Sequence, residues 1–296
     1  MERLEKALRK ALNAPDGTPL PAPVRIPEQL STAEEGKAAV TRTPTSGTTD
    51  PPGLWQSLRE IRPSLRALSR GLVVTGAEEP DARHFELLGA KLLHQVRSQG
   101  WQRIGIAAPR PGCGATTVAL NLAFGLAQQA ELRLLLIEAD AYRPSMGAAL
   151  GLAPGAGLAD VVAGRAEPAQ ALLRLRSNLA ALLASRVRSE PGELLGDPAT
   201  LDAIERIEAL LDPSVTLIDL PPILDGSGAE SFWEGLDGVL LVISAGSTTL
   251  AEIEACQRAL RAGANLLGVV VNRCRSPDRT EGPGLAPRRR GRWAAR

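Results

Sequence analysis

Residues 101–123, WQRIGIAAPRPGCGATTVALNLA, decide the fold. Ile104, Ile106 and Ala107 read as a buried strand, and Pro111, Gly112 and Gly114 as a loop. Thr116 and Thr117 open a helix that carries Val118, Leu120, Leu122 and Leu126. A strand, a glycine-bearing loop and a helix N-terminus in that order make a cradle for phosphate. The glycines let backbone N–H groups turn towards the anion, and the helix end adds partial positive charge. One residue departs from the pattern. The Walker A signature places Lys directly after its last glycine, where the ammonium reaches the β- and γ-phosphates, and here Ala115 holds that place. No lysine follows Lys91, so none later in the chain fills the gap.

Outward from the loop, the chain alternates. Before it, Phe85, Leu88, Leu92, Leu93 and Val96 predict a helix that begins near Asp81 and ends near Gly100. After it, residues 132–138, 179–183, 215–219, 239–244 and 267–272 are short apolar runs, with helical patterns between them, notably over 198–211 and 249–262. Runs that are apolar throughout, separated by helix-length segments, predict an α/β three-layer sandwich of the P-loop NTPase kind, with a mostly parallel sheet covered on both faces. Ligands in such sheets bind beyond the carboxyl ends of the strands. At those ends stand Glu138-Ala139-Asp140, followed by Arg143 and Pro144, and Asp219-Leu220-Pro221-Pro222. Magnesium takes one or two carboxylates together with phosphate oxygens and water, so Asp140, Asp219 and the Thr116 hydroxyl are the predicted metal ligands. One aspartate at a strand end is enough only to cap a helix. Loop, acidic strand and D-x-P-P strand in this order point to a nucleotide site.

Composition sets the bounds. The 296 residues are 44% hydrophobic, enough for one large α/β domain with extensions. A net charge of +1 argues against a general nucleic-acid surface. Cys113, Cys256 and Cys274 are too few and too scattered for a disulfide framework or a zinc site, which suits a reducing cytoplasm. No apolar run has the length of a membrane span, so contact with a membrane is expected only through a partner. At 1–12, Met1, Leu4, Leu8 and Leu12 share one face of a short amphipathic helix. Residues 13–80 are predicted as a Pro/Thr/Gly-rich linker, disordered at its start, with a broken helix over 54–70 around Pro63 and an edge strand over 72–75. The folded domain is placed at 81–274. A basic tail, 275–296, carries Arg288, Arg289, Arg290, Arg292 and Trp293 and reads as a solvated or disordered end.

From about residue 85 to 273 the chain resembles the bacterial tyrosine autokinases of capsule and exopolysaccharide synthesis, relatives of the MinD and ParA ATPases. The resemblance is carried by IAAPRPGCGATTVALNLA at 106–123, LLLIEADAYRPSMGAALGL at 134–152, TLIDLPPIL at 216–224 and LLGVVVNR at 266–273. It implies ATP or ADP with Mg2+, cradled by Gly112, Cys113, Gly114, Ala115, Thr116 and Thr117. Asp140 and Asp219 take the catalytic and metal positions, and Asn272, with Arg273 beside it, the adenine. It implies a membrane polysaccharide co-polymerase or export protein as partner, and self-association. Arg110 falls where the MinD and ParA relatives carry a second, signature lysine that reaches across a dimer to the neighbour's nucleotide.

The departures bear on chemistry. Ala115 replaces the lysine, Cys113 an acidic residue, and Glu138 the first aspartate of the second motif. The family's E-x-x-R-x-x-R ring-assembly motif has no match around His84, Glu86, Leu87 and Gly89, and the tail lacks the family's tyrosine cluster, since Tyr142 is the sole tyrosine. Losing a charge-assisted hydrogen bond to phosphate costs about 1.5–3 kcal/mol, and more for transfer than for binding. The expectation is a regulator or scaffold of polysaccharide synthesis with weakened or absent phosphoryl transfer. The alternative is an active ATPase or tyrosine kinase in which Arg110 or a partner residue stands in for the lysine. A third reading, a positioning ATPase of the MinD type, requires a nucleotide-dependent dimer.

Overall fold

The computed structural model describes residues 54–74, 80–184, 193–226, 230–261 and 263–274. The amphipathic helix placed at 1–12, the linker before Leu54 and the basic tail lie outside the described residues. Helix α1 (Leu54–Ser57), strand β1 (Arg59–Glu60) and helix α2 (Leu65–Arg70) precede the long helix α3 (Pro80–Gln99). There follow β2 (Arg103–Ala107), α4 (Ala115–Leu126), β3 (Leu134–Glu138), α5 (Met146–Leu150), α6 (Leu158–Val162), α7 (Pro168–Ala171), β4 (Leu173–Arg176) and β5 (Leu179–Leu182). The chain continues through α8 (Glu193–Gly196), α9 (Pro198–Leu211), β6 (Val215–Asp219), a 3₁₀ turn (Ile223–Asp225), α10 (Glu230–Trp233), β7 (Gly238–Ser244), α11 (Leu250–Leu260) and β8 (Leu266–Asn272).

Among the described residues the strands form one sheet, in the order β1-β4-β5-β3-β6-β2-β7-β8. β4 is antiparallel to β5 and β1 is parallel to β4, so these two run against the other six. Side chains alternate between two cores, as the pleat demands. On β3, Leu134 and Leu136 face a layer built by α3, α4 and α5, whereas Leu135 and Ile137 face one built by α6, α9 and α11. That is the three-layer sandwich expected of strands apolar on both faces. The six strands expected from apolar runs are present within a residue or two at each end.

Two strands were missed. β1 is two polar, exposed residues, and β4 reads LRLR, so neither carries the continuous apolar signal of a buried strand. The expected edge strand over 72–75 is a correction, because residues 72–74 form no strand. The buried side chain of Asn121, on α4, takes the place of a neighbouring strand by donating to the Leu72 carbonyl (2.8 Å) and accepting from the Val74 N–H (2.9 Å). The expected broken helix over 54–70 is α1 and α2, parted by β1 and Pro63.

At the amino end of the parallel strands lies an ionic cluster that nothing in the sequence pattern announces. Arg103, the first residue of β2, is 1% exposed and donates from Nε to both carboxylate oxygens of Glu208 on α9, at 2.8 and 3.0 Å. Glu205 adds a longer contact at 3.3 Å, and the Thr216 hydroxyl donates to Glu208 at 2.8 Å.

Candidate functional site

The site is assembled where β2, β3, β6 and β8 end. In the ladder, Glu138 of β3 pairs with Asp219 of β6, and Asp219 also pairs with Ile106 of β2, immediately before the loop. The loop turns on two glycines in the left-handed region, Gly112 (φ 83°) and Gly114 (φ 96°). A Cβ at Gly114 would lie 2.1 Å from the Asn272 side-chain nitrogen, so both backbone conformation and space require glycine there. Gly114 is also the N-cap of α4, whose amino end has no side-chain cap, leaving the first turn of N–H groups open to an anion.

Thr116 and Asp219 come together as expected, the Thr116 hydroxyl donating to Asp219 Oδ2 at 2.8 Å. The other oxygen, Oδ1, is buried and has no hydrogen-bond partner. Burial pushes the Asp219 carboxyl well above the usual carboxylate range, Thr116 opposes this, and the charges of Glu138 and Asp140 add to it. A bare buried carboxylate oxygen beside a threonine hydroxyl fits a magnesium ion bound through one carboxylate, phosphate oxygens and water. Among the described residues no group of three or more His, Cys, Asp or Glu side chains is placed to hold a metal ion.

Asp140 is half-buried at the same edge, and its Oδ1 accepts the N–H groups of Tyr142 (3.2 Å) and Arg143 (2.9 Å). Arg143 reaches Asp225 at 2.5 Å. Glu138 turns away from metal chemistry. Its Oε1 accepts the N–H groups of Ser145 (2.5 Å) and Met146 (2.7 Å), its Oε2 that of Ala184 (2.9 Å), and burial raises its pKa against these bonds.

The remaining residues carried over from the resemblance make contacts within the protein. Asn272 donates its amide to the Cys113 carbonyl (2.9 Å) and accepts the Arg273 N–H (2.8 Å), so both its polar ends brace the loop and the strand end. Cys113 is buried, its Sγ 3.8 Å from the Thr248 hydroxyl. Arg110 has a 60% exposed side chain and pairs within its own chain with Glu252, which also closes the capping box of α11 with Thr249. That hydrogen bond raises the Arg110 pKa. Ala115 is half-buried against the α3–α4 core. Ser145, absent from the expected site, lies in it: its hydroxyl donates to Thr116 Oγ1 at 3.1 Å. The available signal was a serine just before the helical MGAAL run, a pattern that ordinarily marks only a helix cap.

Asp219→Asn should raise the thermal midpoint by a few degrees at neutral pH, because it removes a desolvated charge, and should abolish any magnesium dependence of nucleotide binding. The folded pKa of Asp219 is raised, so the stability linked to its protonation is fully present below the unfolded value of about 3.9 and lost as pH rises through the folded value. Acidification from neutrality should therefore stabilise the native protein relative to the Asn variant. Midpoints that track each other across pH would contradict this.

Strand order, glycine loop and Thr116–Asp219 pair define a P-loop α/β protein. No family model matches the chain. It is 31% identical over 169 residues to the tyrosine-protein kinase YwqD of Bacillus subtilis (strain 168), covering 56% of this chain and 70% of that protein. It is 35% identical over 150 residues to the succinoglycan biosynthesis transport protein ExoP of Rhizobium meliloti (strain 1021), covering 49% of this chain but only 19% of ExoP. Among solved structures, the chimerical protein CapA2B2 superposes with a TM-score of 0.62 at 23% identity, over 73% of this chain and 93% of that one, a likeness of fold. The chain belongs to the bacterial tyrosine kinase family.

Proposed function

We propose that this protein binds ATP or ADP with Mg2+ in the 110–117 cradle and acts as a regulator or scaffold in exopolysaccharide or capsule biosynthesis, with phosphoryl transfer weakened or absent. The observation that carries the reading is the bare, buried Asp219 oxygen beside the Thr116 hydroxyl, next to a loop whose lysine place is Ala115. Thr116 and Asp219 would hold the metal and Asp140 would approach it through water, while the α4 amino end and the loop N–H groups orient the phosphates. When bound, Mg2+ neutralises charge between the β- and γ-phosphates. The cationic contact that a lysine would add during transfer has no replacement in Ala115. Arg110 is engaged by Glu252 and must break that pair before it reaches any phosphate.

The polysaccharide role and a membrane export partner rest on the relatives, one named as a tyrosine kinase and another as a succinoglycan transport protein. Among the described residues no helix is long and apolar enough to cross a membrane, and we place the protein at the cytoplasmic face through that partner. Calorimetric titration with Mg–ATP, followed by a phosphate-release assay, tests the proposal. Binding with little or no turnover is expected. Brisk turnover that disappears in Arg110→Ala would establish the rival reading, an active enzyme with a substitute cation.

A further inference from the structure

Ser145 occupies the N-cap position of α5, where a serine hydroxyl ordinarily accepts a backbone N–H of the first turn. Here it makes no such bond. The Glu138 carboxylate binds the same helix start at different groups, accepting the N–H of Ser145 itself and of Met146, the first helical residue. The hydroxyl instead turns into the site, where it donates to Thr116 Oγ1 at 3.1 Å, and Thr116 in turn donates to Asp219 Oδ2 at 2.8 Å.

The proton order has a chemical consequence. A threonine hydroxyl has one proton and two lone pairs. With its proton committed to Asp219 and one lone pair to Ser145, Thr116 keeps one lone pair free, on the same group that holds Asp219 with Oδ1 bare. We propose that Ser145 is a positioning residue for magnesium: it acts through Thr116, fixing the hydroxyl so that its open lone pair and Asp219 Oδ1 face one cation. The proposal rests on the nucleotide-binding reading.

The test uses the full chain, with ADP titrated in the presence of Mg2+ and again with EDTA. Ser145→Ala should weaken Mg–ADP binding about fivefold to tenfold, the loss of one neutral hydrogen bond, and leave metal-free ADP binding within about twofold. Ser145→Thr, which keeps the hydroxyl at an exposed position, should restore the magnesium effect. The thermal midpoint of Ser145→Ala should stay within about 2 °C of the native value, because no cap is lost. Equal weakening with and without Mg2+, no weakening, or a midpoint drop typical of a lost cap would each overturn the inference. A native protein that binds ADP in neither condition would overturn the nucleotide reading and this inference with it. Native Mg–ADP binding that Ser145→Ala leaves unchanged would overturn the inference alone.

Discussion

Ala115→Lys is expected to tighten Mg–ATP binding about tenfold to a hundredfold, the worth of one charge-assisted hydrogen bond to phosphate. The position is favourable. Ala115 is the first residue of α4, half-buried against apolar side chains, so a lysine stem can lie along that surface while its ammonium turns to the phosphates. Asp219 supplies the acidic side of the site, and burial pushes its carboxyl well above the usual carboxylate range. A cation nearby favours its ionised, metal-binding form. Phosphate release should rise by more than affinity does, since charge grows in the transition state. Phosphotyrosine should not appear on residues 275–296, which contain no tyrosine. Calorimetry and a phosphate-release assay on the variant check both parts. An affinity equal to that of the native chain would show that the cradle no longer receives a triphosphate.

Glu208→Ala should destabilise the fold by about 3–5 kcal/mol, because it strands the Arg103 guanidinium in a buried place. Glu205 is a partner at 3.3 Å on a side chain that is 53% exposed, and it cannot replace the paired contact. The Thr216 hydroxyl loses its acceptor as well. Removing both charges with Arg103→Met and Glu208→Leu should recover most of the loss, as apolar replacements of buried ion pairs do. Denaturant unfolding of the single and double variants measures this. If the single variant loses less than about 1 kcal/mol, the cluster is solvated and the buried-pair account fails. Because Arg103 sits at the start of β2 and the loop follows its end, nucleotide affinity of the folded double variant should be unchanged.

These two sites mark what the sequence makes legible and what it hides. The strand, loop and first turn around Gly112 and Gly114 are contiguous, and each residue type there follows from local geometry, so the cradle can be read directly. The apolar strands are legible for the same reason, since burial on both faces leaves unbroken hydrophobic runs. What stays hidden depends on partners far apart in the chain. Arg103 and Glu208 are separated by 105 positions, and Asn121 meets Leu72 across 49. Glu138 reads only as a substitute for the first aspartate of the second motif, because the direction of its carboxylate is set by the bend that brings Ser145, Met146 and Ala184 to it. The close approach of Asn272 to Gly114 and its bond to the Cys113 carbonyl are likewise set only by the closed fold.

The stretch before Pro80 reads as a linker, yet residues 54–74 are sewn to the domain at both ends. Trp55 donates to the Leu211 carbonyl at 2.9 Å on one side of the sheet, and Asn121 grips residues 72–74 on the other. Between them α2 lies so close to α5 that a Cβ on Gly71 would come 2.5 Å from the Ala149 carbonyl oxygen. This segment is a strap buckled onto α4, the helix that opens the candidate site. A polypeptide trimmed to start at residue 81 would leave Asn121 without the backbone it grips at 72–74 and open a seam along α4, the helix that begins at the glycine loop.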